Sequence, residues 1–166
     1  MSKITLRPQK VSDAKRFYEI LSNPNFTFFD IRPKSVADEI KWLRGNAKRQ
    51  KENTGWNYAI IYGKETVGAI GVKINFHRKY IGELGYFIDE KYWGRGLASR
   101  AVKLAEAVCF KKLKLKRIEI LMQPENKASE KVAVKNDYIK EGRLRGILRN
   151  RGGQMKDCYL YAKIKP

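Results

Sequence analysis

Histidine, cysteine and acidic side chains are the scarce components of this 166-residue chain, with one histidine, two cysteines and 17 Asp plus Glu. The lone His77 sits beside Arg78 and Lys79 with no carboxylate or cysteine at ligand spacing, so it reads as a surface residue and no metal is expected. Cys109 and Cys158 form no C-x-x-C pair, and a buried thiol is the reading for Cys109. No apolar run approaches the roughly 20 residues of a membrane span, and the N-terminal stretch lacks an apolar signal segment. No membrane partner and a cytoplasmic location are therefore expected. Internal repeats, linkers and low-complexity tracts are absent too, so at 19.3 kDa one domain over residues 1–166 is expected. An apolar fraction of 43% and an aromatic fraction of 11% exclude a disordered chain.

Basic residues are abundant: 36 Lys plus Arg give a formal net charge of +19. Residues 1–90 hold 16 basic and 10 acidic groups, and residues 91–166 hold 20 and 7. Such a field draws in nucleotides, ribosomal RNA or acidic proteins, although a lysine-rich solvated surface has the same composition. Lys111-Lys112-Leu113-Lys114-Leu115-Lys116-Arg117 is the densest run. It reads as a solvated connection between helix and strand or as an RNA-contact patch. The single Arg151-Gly152-Gly153 unit carries almost no information.

Periodicity sets out the elements. Ile4–Leu6 predicts a strand before Pro8. Val11, Ala14, Phe17, Tyr18 and Leu21 mark a helix that Asn23-Pro24-Asn25 breaks. Ser35 caps a second helix, with Val36, Ile40, Leu43 and Ala47 inward. Trp56–Tyr62 and Glu65–Phe76 form a hairpin about Gly63-Lys64, and Tyr80–Ile88 is the next antiparallel partner. A long helix runs to about Lys112. Arg117–Met122 is a core strand, Asn126–Lys135 a short helix, and Tyr138–Leu144 and Met155–Ile164 close the sheet around a mobile basic loop, Gly146–Gly153. Tyr58, Tyr62, Phe76, Tyr86 and Phe87 fall on strands and are assigned to the core. Trp42 and Trp56 are structural or line an acceptor groove.

The most informative stretch joins the strand Gly82–Ile88 to the long helix through Glu90-Lys91-Tyr92-Trp93-Gly94-Arg95-Gly96-Leu97-Ala98-Ser99. Two glycines let a backbone approach a ligand closely, and the unpaired amides of a first helical turn attract an anion. A strand, a Gly-x-Gly turn and a helix imply pyrophosphate binding or, more plainly, a tight strand-to-helix turn. No Gly-Lys-Ser/Thr follows, as a P-loop needs, and the third glycine of a dinucleotide fingerprint is missing.

Trp93-Gly94-Arg95-Gly96-Leu97-Ala98 resembles the acetyl-CoA pyrophosphate loop of the GNAT superfamily of N-acetyltransferases, usually Gln/Arg-x-x-Gly-x-Gly/Ala. Gly96 and Ala98 take its small positions. Trp93, where the general pattern has Gln or Arg, resembles the RimJ/RimL branch, which acetylates protein N-termini, especially of ribosomal proteins. Asn126-Lys127-Ala128-Ser129, followed by Val132, Lys135 and Tyr138-Ile139-Lys140-Glu141-Gly142, is similar to that branch's Asn-x-x-Ser…Lys-x-Gly-Phe-x-x-Glu-Gly run, with Asp137 in place of Gly and Tyr138 in place of Phe. The resemblance covers nearly the whole chain. It implies an α/β fold, a single GNAT domain with a mixed, mostly antiparallel sheet of about seven strands and about four helices.

It also implies acetyl-CoA as donor, contacted by Trp93, Gly94, Arg95, Gly96, Leu97, Ala98 and Ser99, with the strand end Phe87, Ile88 and Asp89 pairing with the pantetheine through its backbone. Asn126 would bond the pantetheine or the preceding strand end, and Arg95 the phosphates. Catalytic residues would be Glu83 as base and Ser129 as a hydroxyl near the sulfur. The tyrosine many GNAT enzymes place on the short helix is Ala133 here. Glu83 is otherwise a solvated glutamate or the ion-pair partner of Arg78 or Lys79, and Ser129 otherwise a helix-capping residue. The expected acceptor is a protein N-terminal amine, with a small-molecule amine as the alternative. A ribosome- or RNA-binding domain without acetylation is the non-enzymatic one. A monomer and a homodimer are both open.

Overall fold

The computed structural model describes residues 3–29, 32–150 and 152–165. Across them runs one sheet of seven strands: β1 (Ile4–Pro8), β2 (Gly55–Tyr62), β3 (Glu65–Ile74), β4 (Ile81–Ile88), β5 (Arg117–Met122), β6 (Ile139–Arg149) and β7 (Met155–Ile164). The order is β1-β2-β3-β4-β5-β7-β6. Neighbours pair antiparallel except β4 and β5, which are parallel. A parallel pair needs a crossover, and α4 (Leu97–Ala107) supplies it, ending in one π-helical turn over Val108–Lys112.

Alternation along the strands sorts the core into two layers. Tyr58 and Ile60 of β2, Ile70 and Val72 of β3, and Leu84 and Ile88 of β4 pack beneath Leu97, Ala101, Val102 and Ala105 of α4. On the other face Ala59 and Ala69 meet Phe17 of α1 (Ala14–Leu21) and Leu43 of α2 (Val36–Arg44), with Phe87 against them. Burying an aliphatic or aromatic side chain of this size is worth about 1.5–3 kcal/mol, which fixes both layers and with them the position of β4.

Ser35 caps α2 as expected, its Oγ accepting from the Asp38 N–H at 3.1 Å. The second helix is interrupted at Gly45, which ends α2 and begins α3 (Asn46–Lys51). The first half of the region expected as a mobile loop over 146–153 is strand. β6 continues to Arg149 in register with Met155, across a bulge between Leu144 and Leu148. Gly146, at φ 58°, sits in that bulge and donates its N–H to Asp157 Oδ1 at 2.9 Å. The connection is a turn closed by Asn150, which donates its N–H to the Gln154 carbonyl and accepts from Gly153 N–H. Arg151 lies outside the described residues. Asp137, standing where the family run has glycine, adopts the left-handed backbone itself, at φ 61°.

Candidate functional site

The site begins where the sheet divides. β4 and β5 pair over three positions, Ile81↔Arg117, Gly82↔Ile118 and Glu83↔Glu119, and then diverge. β4 stays on β3 as far as Gly68↔Ile88, and β5 stays on β7 along its length. Gly68 permits the first of these, because a Cβ there would stand 2.1 Å from the Phe87 carbonyl oxygen. The divergence opens a cleft of about 880 Å³, within the range of small-molecule and cofactor sites. Glu83, Gly85 and Phe87 reach it from one sheet face, and Leu84, Tyr86 and Ile88 from the other.

At the wide end lies the glycine turn. Gly94 and Gly96 have φ of 74° and 70°, conformations that strain any residue with a Cβ. Nothing lies within 4 Å of a Cβ built on Gly94, and only the Lys135 ammonium, at 3.9 Å, meets one built on Gly96. The helical bond from Arg100 N–H to the Gly96 carbonyl is 3.2 Å, which leaves the amides of Leu97, Ala98 and Ser99 without a partner in the turn before them. Ser99 is fixed from behind, its Oγ accepting from Asn136 Nδ2 at 2.9 Å. An open hollow, unpaired amides and a lysine together suit a phosphate group.

Lys135 closes α5 (Lys127–Lys135) and lines the cleft beside the turn. In the sequence it stands only as one residue of the Asn-x-x-Ser…Lys run. Arg95, expected on the phosphates, does not line the cleft and instead lays its guanidinium over the Tyr92 ring, 5.2 Å from the centroid. Lys135→Ala is expected to raise the acetyl-CoA KM by roughly 5- to 30-fold with little change in kcat, the loss of one charge-assisted phosphate contact of about 1–2 kcal/mol. Initial-rate kinetics check this, and an unchanged KM would return the lysine to the solvent.

Midway along the cleft, Tyr86 Oη and Ser129 Oγ stand 2.8 Å apart. Tyr86 packs against the core as expected, and its hydroxyl also reaches the cleft. Burial pushes its phenol up to about 12 while the Ser129 contact opposes the shift, so it stays protonated at neutral pH. Asn126 caps α5, its Oδ1 accepting from the Ser129 N–H at 3.1 Å. The cap holds Ser129 in place, and Asn126 itself lines the cleft.

Glu83 marks the end of the short β4–β5 ladder. Its register partner Glu119 is bound to Arg117 at 2.7 Å. Among the described residues Glu83 itself makes no ion pair, so the pairing with Arg78 or Lys79 does not occur. Although open to the cleft, its carboxyl is raised above the ordinary range, first by loss of water around it and then by Glu119, against the pull of Lys73. A carboxylate that holds a proton more readily is better suited to take one from an amine.

The remaining expected contacts divide. Phe87, Ile88, Trp93, Leu97 and Ala98 line the cleft. Trp93 Nε1 donates to the Ile88 carbonyl at 2.7 Å, tying the turn to the strand end. Asp89 is turned away. Its N–H donates to the Val67 carbonyl, and its carboxylate takes the Arg16 guanidinium and the Lys91 N–H. Trp42 and Trp56 lie outside the cleft, and its outer wall is aromatic: Phe26 and Phe29 stand edge-on to Phe87 at 6.4 and 5.4 Å between centroids. Asn23 and Asn25 hold that segment by donating to Glu90. Among the described residues no group of three or more His, Cys, Asp or Glu could hold a metal.

Comparison with known proteins identifies the family and the fold. Residues 3–139 match the acetyltransferase (GNAT) domain family. The chain is 28% identical over 170 residues to an uncharacterized N-acetyltransferase, p20, of Bacillus licheniformis, covering 98% of this chain and 93% of that one. It is 27% identical over 134 residues to the ribosomal-protein-serine acetyltransferase of Escherichia coli K12, covering 78% and 72%. A solved ribosomal L7/L12 α-N-protein acetyltransferase in complex with coenzyme A superposes with a TM-score of 0.89 at 22% identity, covering 99% and 95%.

Proposed function

Since the chain belongs to the GNAT acetyltransferase domain family, we propose that its single domain, residues 1–166, moves an acetyl group from acetyl-CoA to a protein N-terminal α-amine by direct transfer within a ternary complex. The observation that carries this reading is the cleft itself, which joins an anion-binding glycine turn, a hydroxyl pair and a carboxylate across a parted sheet. Acetyl-CoA supplies the activated acyl thioester. The amides of Leu97, Ala98 and Ser99, with Lys135 beside them, hold its phosphates. The edge of β4 from Leu84 to Ile88, freed from β5, holds its pantetheine as an added strand. Gly94, Gly96, Trp93 and Asn126 shape these contacts.

Glu83 accepts the proton of the incoming ammonium, directly or through a water. The Tyr86–Ser129 pair places a protonated hydroxyl where a thiolate departs, with Ser129 nearest the sulfur. An α-amine, with an ordinary pKa of about 7.7–8.0, needs less help from a weak base than lysine at about 10.4. The positive surface disfavours polyamine acceptors and suits an acidic N-terminus or a ribosome-associated one.

Saturating acetyl-CoA, at about 100 times its Kd, should stabilise the fold by about 2.7 kcal/mol, or roughly 5–10 °C in Tm for a chain of this size. Acetylation of an N-terminal peptide library should then exceed that of free amino acids, aminoglycosides and amino sugars. No thermal shift would remove the enzymatic reading, and a preference for a small amine would replace the acceptor.

A further inference from the structure

We propose that the end of the sheet opposite the glycine turn is a docking surface for single-stranded RNA, independent of the acetyl-transfer reading. Two basic segments far apart in sequence meet there. The β3–β4 connection carries Phe76-His77-Arg78-Lys79-Tyr80, and the connection from α4 to β5 carries Lys111, Lys112, Lys114 and Lys116. The Tyr80 carbonyl accepts from the Lys116 and Arg117 amides at 2.8 and 3.2 Å, which locks one segment against the other. The β3–β4 connection is itself closed by Asn75, whose Oδ1 accepts from the His77 and Arg78 amides at 3.0 and 2.8 Å. Both segments are therefore held in one arrangement before any partner arrives.

The charge here is uncompensated. Arg78, Lys79, Lys111, Lys112, Lys114 and Lys116 are exposed and form no ion pair among the described residues. No acidic residue occurs within 73–82 or 107–118. Arg117, at the inner edge of the same segment, is paired with Glu119 and Glu141 and adds no free charge. Aromatic rings are interleaved with the free cations. Phe76, expected on the strand and in the core, lies beyond the end of β3 at Ile74 and is 74% exposed, and Tyr80 is 54% exposed. His77 stands edge-on to Phe76 at 5.0 Å, Lys79 lies over Phe76 at 5.4 Å, and Lys112 lies over the Trp56 ring at 4.7 Å.

A phenylalanine this exposed costs solubility, and among the described residues its ring meets only the neighbouring His77 and Lys79 side chains. Unstacked bases would cover it, while a phosphate backbone would satisfy the lysines; an acidic protein would use the charge and leave the rings bare. Residues 97–112 of the helix separate this surface from the glycine turn, about 24 Å at 1.5 Å per residue, so the two sites can be filled together.

The test uses fluorescence anisotropy with a 5′-fluorescein-labelled, mixed-sequence, single-stranded RNA of 20 nucleotides across a salt series. Six phosphate contacts give a slope of log K against log salt of roughly −4, at about 0.7 per contact. F76A/Y80A is expected to weaken binding at least tenfold with the slope unchanged, since stacking carries no counterion release. K111Q/K112Q/K114Q/K116Q is expected to reduce the slope by about 3. A control with equal charge loss on the far hairpin, K140Q/R145Q/R149Q/K156Q, should bind as the parent does. Retained Tm and acetyl-CoA stabilisation establish that each variant is folded. Unchanged affinity in F76A/Y80A, an equal loss in the hairpin control, or tighter binding of a 20-residue polyglutamate than of the RNA would each overturn the proposal.

Discussion

Gly96→Glu is expected to abolish acetyl-CoA binding, with an affinity loss of at least 100-fold in a protein that still folds. Three effects act together. The backbone at φ 70° suits glycine, so any side chain stores strain of about 1–3 kcal/mol. The new side chain enters the space that a phosphate would occupy at the start of α4, where only Lys135 now stands nearby. Its carboxylate then takes both Lys135 and the positive end of the helix for itself. Gly96→Ala separates these effects, because it introduces the strain without the charge and is expected to lose roughly tenfold or less. Isothermal titration of both variants decides the matter. Retained affinity in a folded Gly96→Glu protein would make the turn purely architectural.

Glu83→Gln is expected to lower kcat/KM by about 100-fold near pH 6.5 and by much less near pH 9, with acetyl-CoA affinity unchanged. The amide keeps the shape and loses the basicity, and a general base contributes about 10²–10⁴-fold. The direction with pH follows from the two groups involved. Glu83 acts only when ionised, and its carboxyl is raised, so parental activity falls with acidification sooner than an ordinary carboxylate would allow. An α-amine that loses its proton in solution, at about 7.7–8.0, no longer needs the base, so parent and variant converge as the pH rises. Parallel pH–rate profiles for the two proteins would assign proton removal to another group.

Much of the sheet and of the turn could be read from the residues. The change from alternation in Gly82–Ile88 to helical spacing after Gly96 fixed a strand-to-helix joint, and two glycines within three residues announced a backbone that other residues avoid. Glu83 stood out because it interrupts an apolar alternation. What escaped depends on contacts remote in sequence. Tyr86 follows the same alternation as a core aromatic, and only Ser129, 43 positions away, shows where its hydroxyl goes. Lys135 looks like the usual cation at a helix end, and its place beside Gly96 arises from the packing of α5 on α4.

Asp89 was expected to pair through its backbone beside Phe87 and Ile88, yet its N–H donates to the Val67 carbonyl, and Arg16, 73 residues distant, holds its carboxylate. Gly146 and Gly153 read as loop residues because a bulge and a turn need the same left-handed backbone that a loop does, and only the cross-strand register tells them apart.

The short β4–β5 ladder has a mechanical meaning. One leaf is β1 through β4 and the other is β5, β7 and β6. Three residue pairs form the sheet seam between them, bridged from above by the packing of α4 and α5. A parted seam is the weakest part of such a fold, because each strand edge beyond Glu83 and Glu119 faces the cleft instead of a neighbouring strand. Whatever fills the gap touches both leaves and acts as a removable stave, so its binding free energy adds to the cohesion of the whole sheet. The fold thus leaves its own closure unfinished, and a supply of donor would decide how firmly the two leaves stay together.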